Sequence, residues 1–178
     1  NRVSELCFNN VIIPRENVLG RPEDGFRISM KTLDIGRIGI AAQALGIGTA
    51  AYEAAATYAM ERKQFDRPIG TFQAISFMLA DMKTHLDASR LLIYRAADLK
   101  DRGMPYSTES AMCKLYASST AMQVCMQALQ IFGGYGYVKD LPVERFFRDA
   151  KITEIYEGTS EVMKIIIGND IIREFNRF

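Results

Sequence analysis

The most restrictive feature of this sequence is a long proline-free run with helical spacing. Between Pro22 and Pro68, apolar and small side chains recur at steps of three and four residues from Phe26 to Tyr58. Residues at these steps share one face of an α-helix. The pattern therefore predicts a helix from about Gly25 to Glu61, about three times as long as an average globular helix of about 11–12 residues. Its apolar face needs other helices to cover it.

The rest of the chain repeats this pattern with recognisable helix ends. A second stripe occupies residues 72–96 and a third occupies residues 111–132. Ser107 or Thr108 is placed to cap the start of the third helix, and Gly133 ends it. These stripes predict two further long amphipathic helices.

Two shorter helices are predicted near the end of the chain. Pro142, at a first-turn position, starts one that runs through Arg148. Thr159 or Ser160 can cap the last one. The helix dipole favours an acidic residue such as Glu161 in the first turn. Three long helices and a shorter fourth, joined by tight connections, predict an all-α fold, an antiparallel four-helix bundle.

The first twenty residues have a different pattern. Residues 3–8 alternate loosely between apolar and polar, and residues 11–13 form an apolar run that stops at Pro14. We interpret these as one or two short β-strands, which need a larger sheet to bury a face. Because the chain also opens with Asn1, we expect a fragment of a longer polypeptide, with a boundary between residues 1–20 and a helical domain at residues 21–178.

Composition excludes several classes of function. The 22 basic and 21 acidic residues nearly cancel, so a nucleic-acid partner is not expected. No apolar stretch reaches the length of about 18 residues that predicts a membrane-spanning helix. Cys7, Cys113 and Cys125 are odd in number and widely spaced, which suits neither a disulfide framework nor a zinc site. We therefore expect no metal and a reducing compartment.

Two segments resist a purely structural explanation in the first half of the bundle. Arg37 falls on the apolar stripe, three residues after Asp34, which can be its partner. An ordinary ion pair at the bundle edge is an equally good reading. Residues 62–70 form a basic turn around Phe65, with Gln73 one helical turn later. Arginine at a helix end can hold a phosphate, although solvated charge is the commoner explanation.

Two more such segments lie in the second half. In residues 130–136, glycines bring the backbone close to any ligand, but helix capping explains the first two glycines equally well. In residues 155–161, Glu157 lies beside Gly158, flanked by apolar residues, just before a helix. Partial desolvation there would strengthen the carboxylate as a base. From the residues alone, an ordinary acidic loop is the favoured alternative.

Five motifs in register resemble the C-terminal half of the acyl-CoA dehydrogenase family. They occupy residues 33–37, 62–65, 72–74, 130–134 and 150–161, and the resemblance covers essentially the whole chain. The family has an N-terminal helical domain, a middle β-domain and a C-terminal four-helix bundle, usually assembled as a dimer of dimers. The resemblance implies that residues 1–20 end the β-domain, while the N-terminal domain and most of the β-domain are absent.

The resemblance also implies a chemistry. Family members use FAD to introduce an α,β double bond into an acyl-CoA thioester, and an electron-transfer flavoprotein usually reoxidises the flavin. Glu157 matches the base that removes the α-proton. Branches that resemble isovaleryl- and long-chain enzymes carry their base near Gly36 instead, so this chain resembles the short-chain, butyryl type. The alternatives are a non-catalytic oligomerisation module and an acyl-CoA oxidase.

Further roles follow from the resemblance position by position. The residues that match FAD contacts are Arg62, Phe65, Gln73, Gln130, Ile131, Phe132, Gly133, Gly134, Thr159, Ser160 and Glu161. The residues that match the acyl-CoA pocket are Asp34, Ile35, Gly36, Arg37 and Gly158. Residues 130–134 match a segment that cradles the ADP portion across a dimer interface. We expect a homo-oligomer in a bacterial cytoplasm or mitochondrial matrix, and an inactive fragment when the other domains are missing.

Overall fold

The computed structural model describes residues 4–176, and within them the chain is mainly helical. The helices are α1 (Gly25–Glu61), α2 (Gln73–Asp101), α3 (Ser107–Phe132), α4 (Val143–Ile152) and α5 (Ser160–Phe175). Two short antiparallel strands, β1 (Lys63–Gln64) and β2 (Arg67–Pro68), connect α1 to α2. The all-α prediction is confirmed. The chain separates into two compact units, Asn1–Thr32 and Leu33–Phe178.

The described residues of the first unit lack the strands predicted for it. Residues 4–14 form neither helix nor strand, and the start of the predicted run at Val3 lies outside the described residues. A strand needs a partner for its backbone N–H and C=O groups, and the described part of this unit offers none. The unit continues through short 3₁₀ turns at Arg15–Asn17 and Pro22–Asp24 into α1. Phe26, predicted to start the apolar stripe, is 78% exposed. The domain boundary at residue 20 stays a prediction.

Helix boundaries in the second unit largely follow the sequence pattern. The predicted bounds of α1 and α3 are confirmed, whereas α4 continues past Arg148 to Ile152. Thr159 caps α5, where its hydroxyl accepts a hydrogen bond from the Val162 backbone at 3.4 Å. The predicted side-chain cap of α3 is wrong, because Tyr106 occupies the cap position without such a bond.

Small residues let the helices of the second unit pack closely. The buried face of α1 consists of Arg37, Ala41, Ala44, Gly48, Ala51, Ala55 and Ala59. A Cβ added at Gly48 would lie 3.0 Å from the Leu86 side chain of α2 and 3.5 Å from Ala121 Cα of α3. The core therefore runs along three helices, with α3 contributing buried residues along its whole length. The buried face is offset from the predicted stripe, because Ile47 and Tyr58, which belong to that stripe, lie beside the buried face and are only partly buried.

Candidate active site

The loop between α4 and α5 carries Glu157 in an unusual backbone conformation. Glu157 has φ of +56° and Gly158 has φ of +96°, both in the left-handed region. A non-glycine residue held there costs about 1–3 kcal/mol, and such residues cluster at functional sites. The surrounding structure must therefore hold the Glu157 backbone in place.

The carboxyl group of Glu157 lies against Gly36 of α1. A Cβ built on Gly36 would lie 2.9 Å from Cδ of Glu157 and 3.3 Å from Oε1, and it would clash with Oε2. The absence of a side chain at Gly36 is thus what makes room for the carboxylate. Glu157 is half-buried in this position. The structure therefore joins two residues that are 121 positions apart in the sequence.

One residue after Gly36, a buried ion pair lines the same part of α1. Nη1 of Arg37 lies 2.6 Å from Oδ1 of Asp34, and Arg37 is only 5% exposed. Ser107 at the start of α3 donates its hydroxyl to the same Asp34 oxygen at 3.0 Å. Nε of Arg37 is buried with no hydrogen-bond partner among the described residues. An unpaired buried donor is costly, so this atom is available to a ligand.

A residue that sequence reasoning missed completes this region. Lys114 of α3 is fully buried, and its ammonium donates to the Gly158 carbonyl at 2.7 Å. Burial lowers the pKa of Lys114, while the nearby carboxylates of Glu154, Glu157 and Glu161 oppose that shift and Arg37 adds to it. The available signal was its place on the helix, three residues after Ala111 and four before Ser118, which are both fully buried. A lysine at such a position lies on the core face of the helix.

The loop has two further attachments besides Lys114. The Tyr156 hydroxyl donates to the side-chain oxygen of Gln43 on α1, and burial raises the pKa of that phenol. The Ser160 backbone N–H donates to the Glu154 carbonyl at 3.1 Å, which closes the loop on itself. The loop that carries Glu157 is therefore tied to α1, to α3 and to its own start.

Several residues predicted to bind a cofactor gather at the far end of α1. Arg62 lies 26 residues beyond Gly36, which at 1.5 Å per residue is about 39 Å along the helix. Arg62 and the segment 131–134 line one cleft of about 710 Å³. The guanidinium carbon of Arg62 lies 5.7 Å from the centre of the Tyr135 ring. Gly133, with φ of +61°, ends α3 and turns the backbone of the segment along this cleft.

The remaining predicted cofactor residues lie elsewhere. Phe65 is 88% exposed at the tip of the β1–β2 hairpin, where Phe65 and Asp66 both have positive φ, as a tight two-residue turn requires. Gln73 is exposed at the first position of α2. Gln130 lines a different cleft, beside Met126 and Tyr137.

A third cleft lies beside the Glu157 loop. Thr159, Ser160 and Glu161 line it together with Lys151 and Glu154, in a volume of about 760 Å³. Of the residues predicted to contact substrate, Gly36 lies against the Glu157 carboxyl and Arg37 is paired with Asp34, whereas Ile35 is 49% exposed. One chain thus presents the predicted cofactor residues on separate surfaces.

Comparison with known proteins establishes the family. Residues 23–172 match the family model for the acyl-CoA dehydrogenase C-terminal domain. The chain belongs to the acyl-CoA dehydrogenase family. It is 55% identical over 170 residues to a short-chain specific acyl-CoA dehydrogenase of Clostridium acetobutylicum, covering 96% of this chain and 45% of that protein.

Solved structures agree with this family assignment. The butyryl-CoA dehydrogenase of Megasphaera elsdenii superposes with a TM-score of 0.92 at 52% identity, over 93% of this chain and 43% of that one. A chain from the structure of the electron transferring flavoprotein of Acidaminococcus fermentans gives the same TM-score at 54% identity, over 93% of this chain and 44% of that one. This chain spans less than half the length of the curated relatives that it matches.

Two classes of feature are absent from the described part of the acyl-CoA dehydrogenase chain. Within residues 4–176, no helix is both long and apolar enough to cross a membrane. The same residues contain no group of three or more His, Cys, Asp or Glu side chains arranged to hold a metal ion.

Proposed function

We propose that this chain is the C-terminal part of an FAD-dependent acyl-CoA dehydrogenase that introduces an α,β double bond into short-chain acyl-CoA thioesters. The observation that carries the proposal is the position of the Glu157 carboxyl against Gly36 of α1. A carboxylate held half-buried by an unusual loop, with a glycine opposite, is suited to one defined proton transfer.

The role we propose for Glu157 is removal of the proton from the carbon next to the thioester carbonyl. The proton on that carbon is only weakly acidic, so the base must be held within reach and sheltered from water. FAD, when bound, supplies the acceptor for the hydride that leaves the β-carbon. The short-chain preference is supported by relatives that are named as short-chain specific.

The residues at the distal cleft fit part of a dinucleotide. Arg62 offers a charged, planar set of donors suited to phosphate oxygens, and the glycines at 133 and 134 leave backbone accessible beside it. Thr159 and Glu161 are proposed to contact the cofactor near the base. The two sets line different clefts, and Gly36, which contacts Glu157, is about 39 Å from Arg62 along α1. We therefore propose that they serve two FAD molecules in a homo-oligomer, with residues 130–134 reaching across a subunit interface.

Two assignments concern substrate and redox partner. We propose that the segment Asp34–Arg37 lines the acyl-CoA pocket, with the buried Nε of Arg37 available for a polar group or water there. An electron-transfer flavoprotein is the proposed electron acceptor, which is supported by the similarity to a chain in the Acidaminococcus structure.

The test uses the longer enzyme that we propose contains this chain, with FAD bound. Glu157→Gln should keep its flavin but lose α-proton exchange by about 100- to 10,000-fold, the usual contribution of a general base. Exchange is measured as deuterium uptake by butyryl-CoA. Glu144→Gln on α4, whose carboxylate pairs with exposed Arg148, is the matched control and should exchange normally.

Undiminished exchange in Glu157→Gln would remove that residue from the mechanism. Wild-type enzyme that bleaches with butyryl-CoA but passes its electrons to oxygen, releasing peroxide, would favour an acyl-CoA oxidase instead. Wild-type enzyme that shows no bleaching with any acyl-CoA would favour a non-catalytic oligomerisation module.

A further inference from the structure

We infer that Lys114 is a positioning residue for the proposed base: its ammonium holds the Gly158 carbonyl and thereby keeps Glu157 against Gly36. The inference rests on the proposed role of Glu157. It concerns a residue of α3 that lies 43 positions from Glu157 in the sequence and is joined to the loop through a backbone atom.

The complete burial of Lys114 is the first argument. Lysine is almost never fully buried unless its charge is paired, because the ammonium loses its hydration. An apolar side chain of similar volume would serve packing at least as well. Lys114 nevertheless occupies the core face of α3 with 0% exposure. Packing alone therefore does not explain why an ammonium group is present at this position.

The target of the ammonium is the second argument. The hydrogen bond from Lys114 ends on the carbonyl of Gly158, the second of two consecutive residues with positive φ. Tyr156 is attached to Gln43 on the other side of Glu157. The base thus lies between two anchored residues. Loss of the anchor at Gly158 leaves Glu157 free to relax out of the left-handed conformation.

The charges around Lys114 are consistent with this role. Carboxylates of Glu154, Glu157 and Glu161 favour its ammonium form, whereas Arg37 on α1 disfavours it. The surrounding negative charge compensates for part of the burial. A charged donor makes a stronger hydrogen bond to the carbonyl than a neutral donor would.

The decisive variant in the full-length holoenzyme is Lys114→Met, which keeps a long apolar stem and removes the donor. We expect kcat with butyryl-CoA to fall about 10- to 100-fold with KM within threefold, since displacement of a catalytic group by about 1 Å has such an effect. Flavin content should not change. Hydrogen–deuterium exchange of the peptide covering residues 153–163 should accelerate at least tenfold, and Lys114→Arg should recover most of the loss in kcat.

Lys83→Met is the matched control, because Lys83 lies exposed on α2 and, among residues 4–176, pairs with Asp87 alone. It should match the wild type in kcat and in exchange of the same peptide. Lys114→Met with kcat within twofold of the wild type would overturn the inference, as would a loss of kcat without faster exchange of the loop.

A folding defect is separated by a second variant. If Lys114→Met loses its flavin, Lys114→Leu, which is shorter and cannot overfill the site, is assessed by the same criteria. Loss of the fold in both variants would overturn the inference in favour of a purely structural lysine. Failure of the proposed function has another signature, namely a wild-type enzyme that does not exchange the α-proton at all.

Discussion

The two ends of α1 in the second unit are built in opposite ways. At the end near Gly36, charged side chains are buried and paired: Arg37 with Asp34, and Lys114 with a loop carbonyl. At the end near Arg62, an open cleft is lined by exposed Arg62, Tyr135 and Asp140. Most polar atoms at the first end are paired within the chain, and among the described residues Nε of Arg37 is the buried side-chain atom left without a partner. The second end offers hydrogen-bond donors that remain open to a ligand.

This difference separates positioning from binding. A catalytic base must be held to within a fraction of an ångström. Burying Arg37 and Lys114 costs desolvation energy, but it fixes the surroundings of such a group. A phosphate-binding arginine keeps its hydration until the ligand arrives, and exposure suits it. Substitutions near Gly36 should therefore affect folding and catalysis, whereas substitutions near Arg62 should affect only ligand retention.

The largest effect is expected from breaking the buried ion pair. Asp34→Asn leaves Arg37 buried without its charge partner, and breaking such a pair costs about 3 kcal/mol or more of unfolding free energy. Chemical denaturation measures the loss. Asp98→Asn is the control, because its pair with Arg102 is 63% exposed on both sides and should contribute less than about 1 kcal/mol. Equal losses in both variants would show that the Arg37–Asp34 pair contributes no more to stability than an exposed pair.

A smaller effect, confined to catalysis, is expected at Gly36. In Gly36→Ala the new Cβ would meet the Glu157 carboxyl, whose Cδ lies only 2.9 Å from that position. The carboxyl group of Glu157, our proposed base, must move, and we expect α-proton exchange to fall about 100-fold while FAD remains bound. Gly39→Ala on the same helix is the control, since nothing lies within 4 Å of a Cβ there. Normal exchange in Gly36→Ala would show that the carboxylate has no fixed position.

The sequence was sufficient for the helices because their boundaries depend on local signals. Apolar periodicity and the absence of proline located α1, and the hydroxyl of Thr159 located the start of α5. The strands predicted in the first twenty residues depend on partner strands that the described residues do not contain. The alternation of apolar and polar residues there therefore gave a wrong prediction. Likewise Ser107, predicted to cap α3, instead donates to Asp34, 73 residues away.

The site was predictable only in part for the same reason. Glu157 could be selected by its motif, and Gly36 by comparison with other branches of the family. Their contact, however, depends on how α1 packs beside the α4–α5 loop. Lys114 escaped notice because a lone lysine in a helix is usually solvated, and only tertiary structure shows that this one is not. Gln130 matched the cofactor motif yet lies on another surface from Arg62.

The smallest effect is expected at the open end of α1. Arg62→Ala in the holoenzyme removes the donor that we assign to the cofactor phosphate, and a charge-assisted hydrogen bond contributes about 1.5–3 kcal/mol, or roughly tenfold to a hundredfold in affinity. The flavin content after dialysis should therefore fall while the free energy of unfolding of the apoprotein stays within about 0.5 kcal/mol of the wild type, as for other surface changes. Arg67→Ala provides the control. Arg67 lies on the hairpin, its guanidinium packs over the Phe72 ring, and it does not line the cleft. Loss of stability without loss of flavin in Arg62→Ala would make this end resemble the other and remove Arg62 from the binding site.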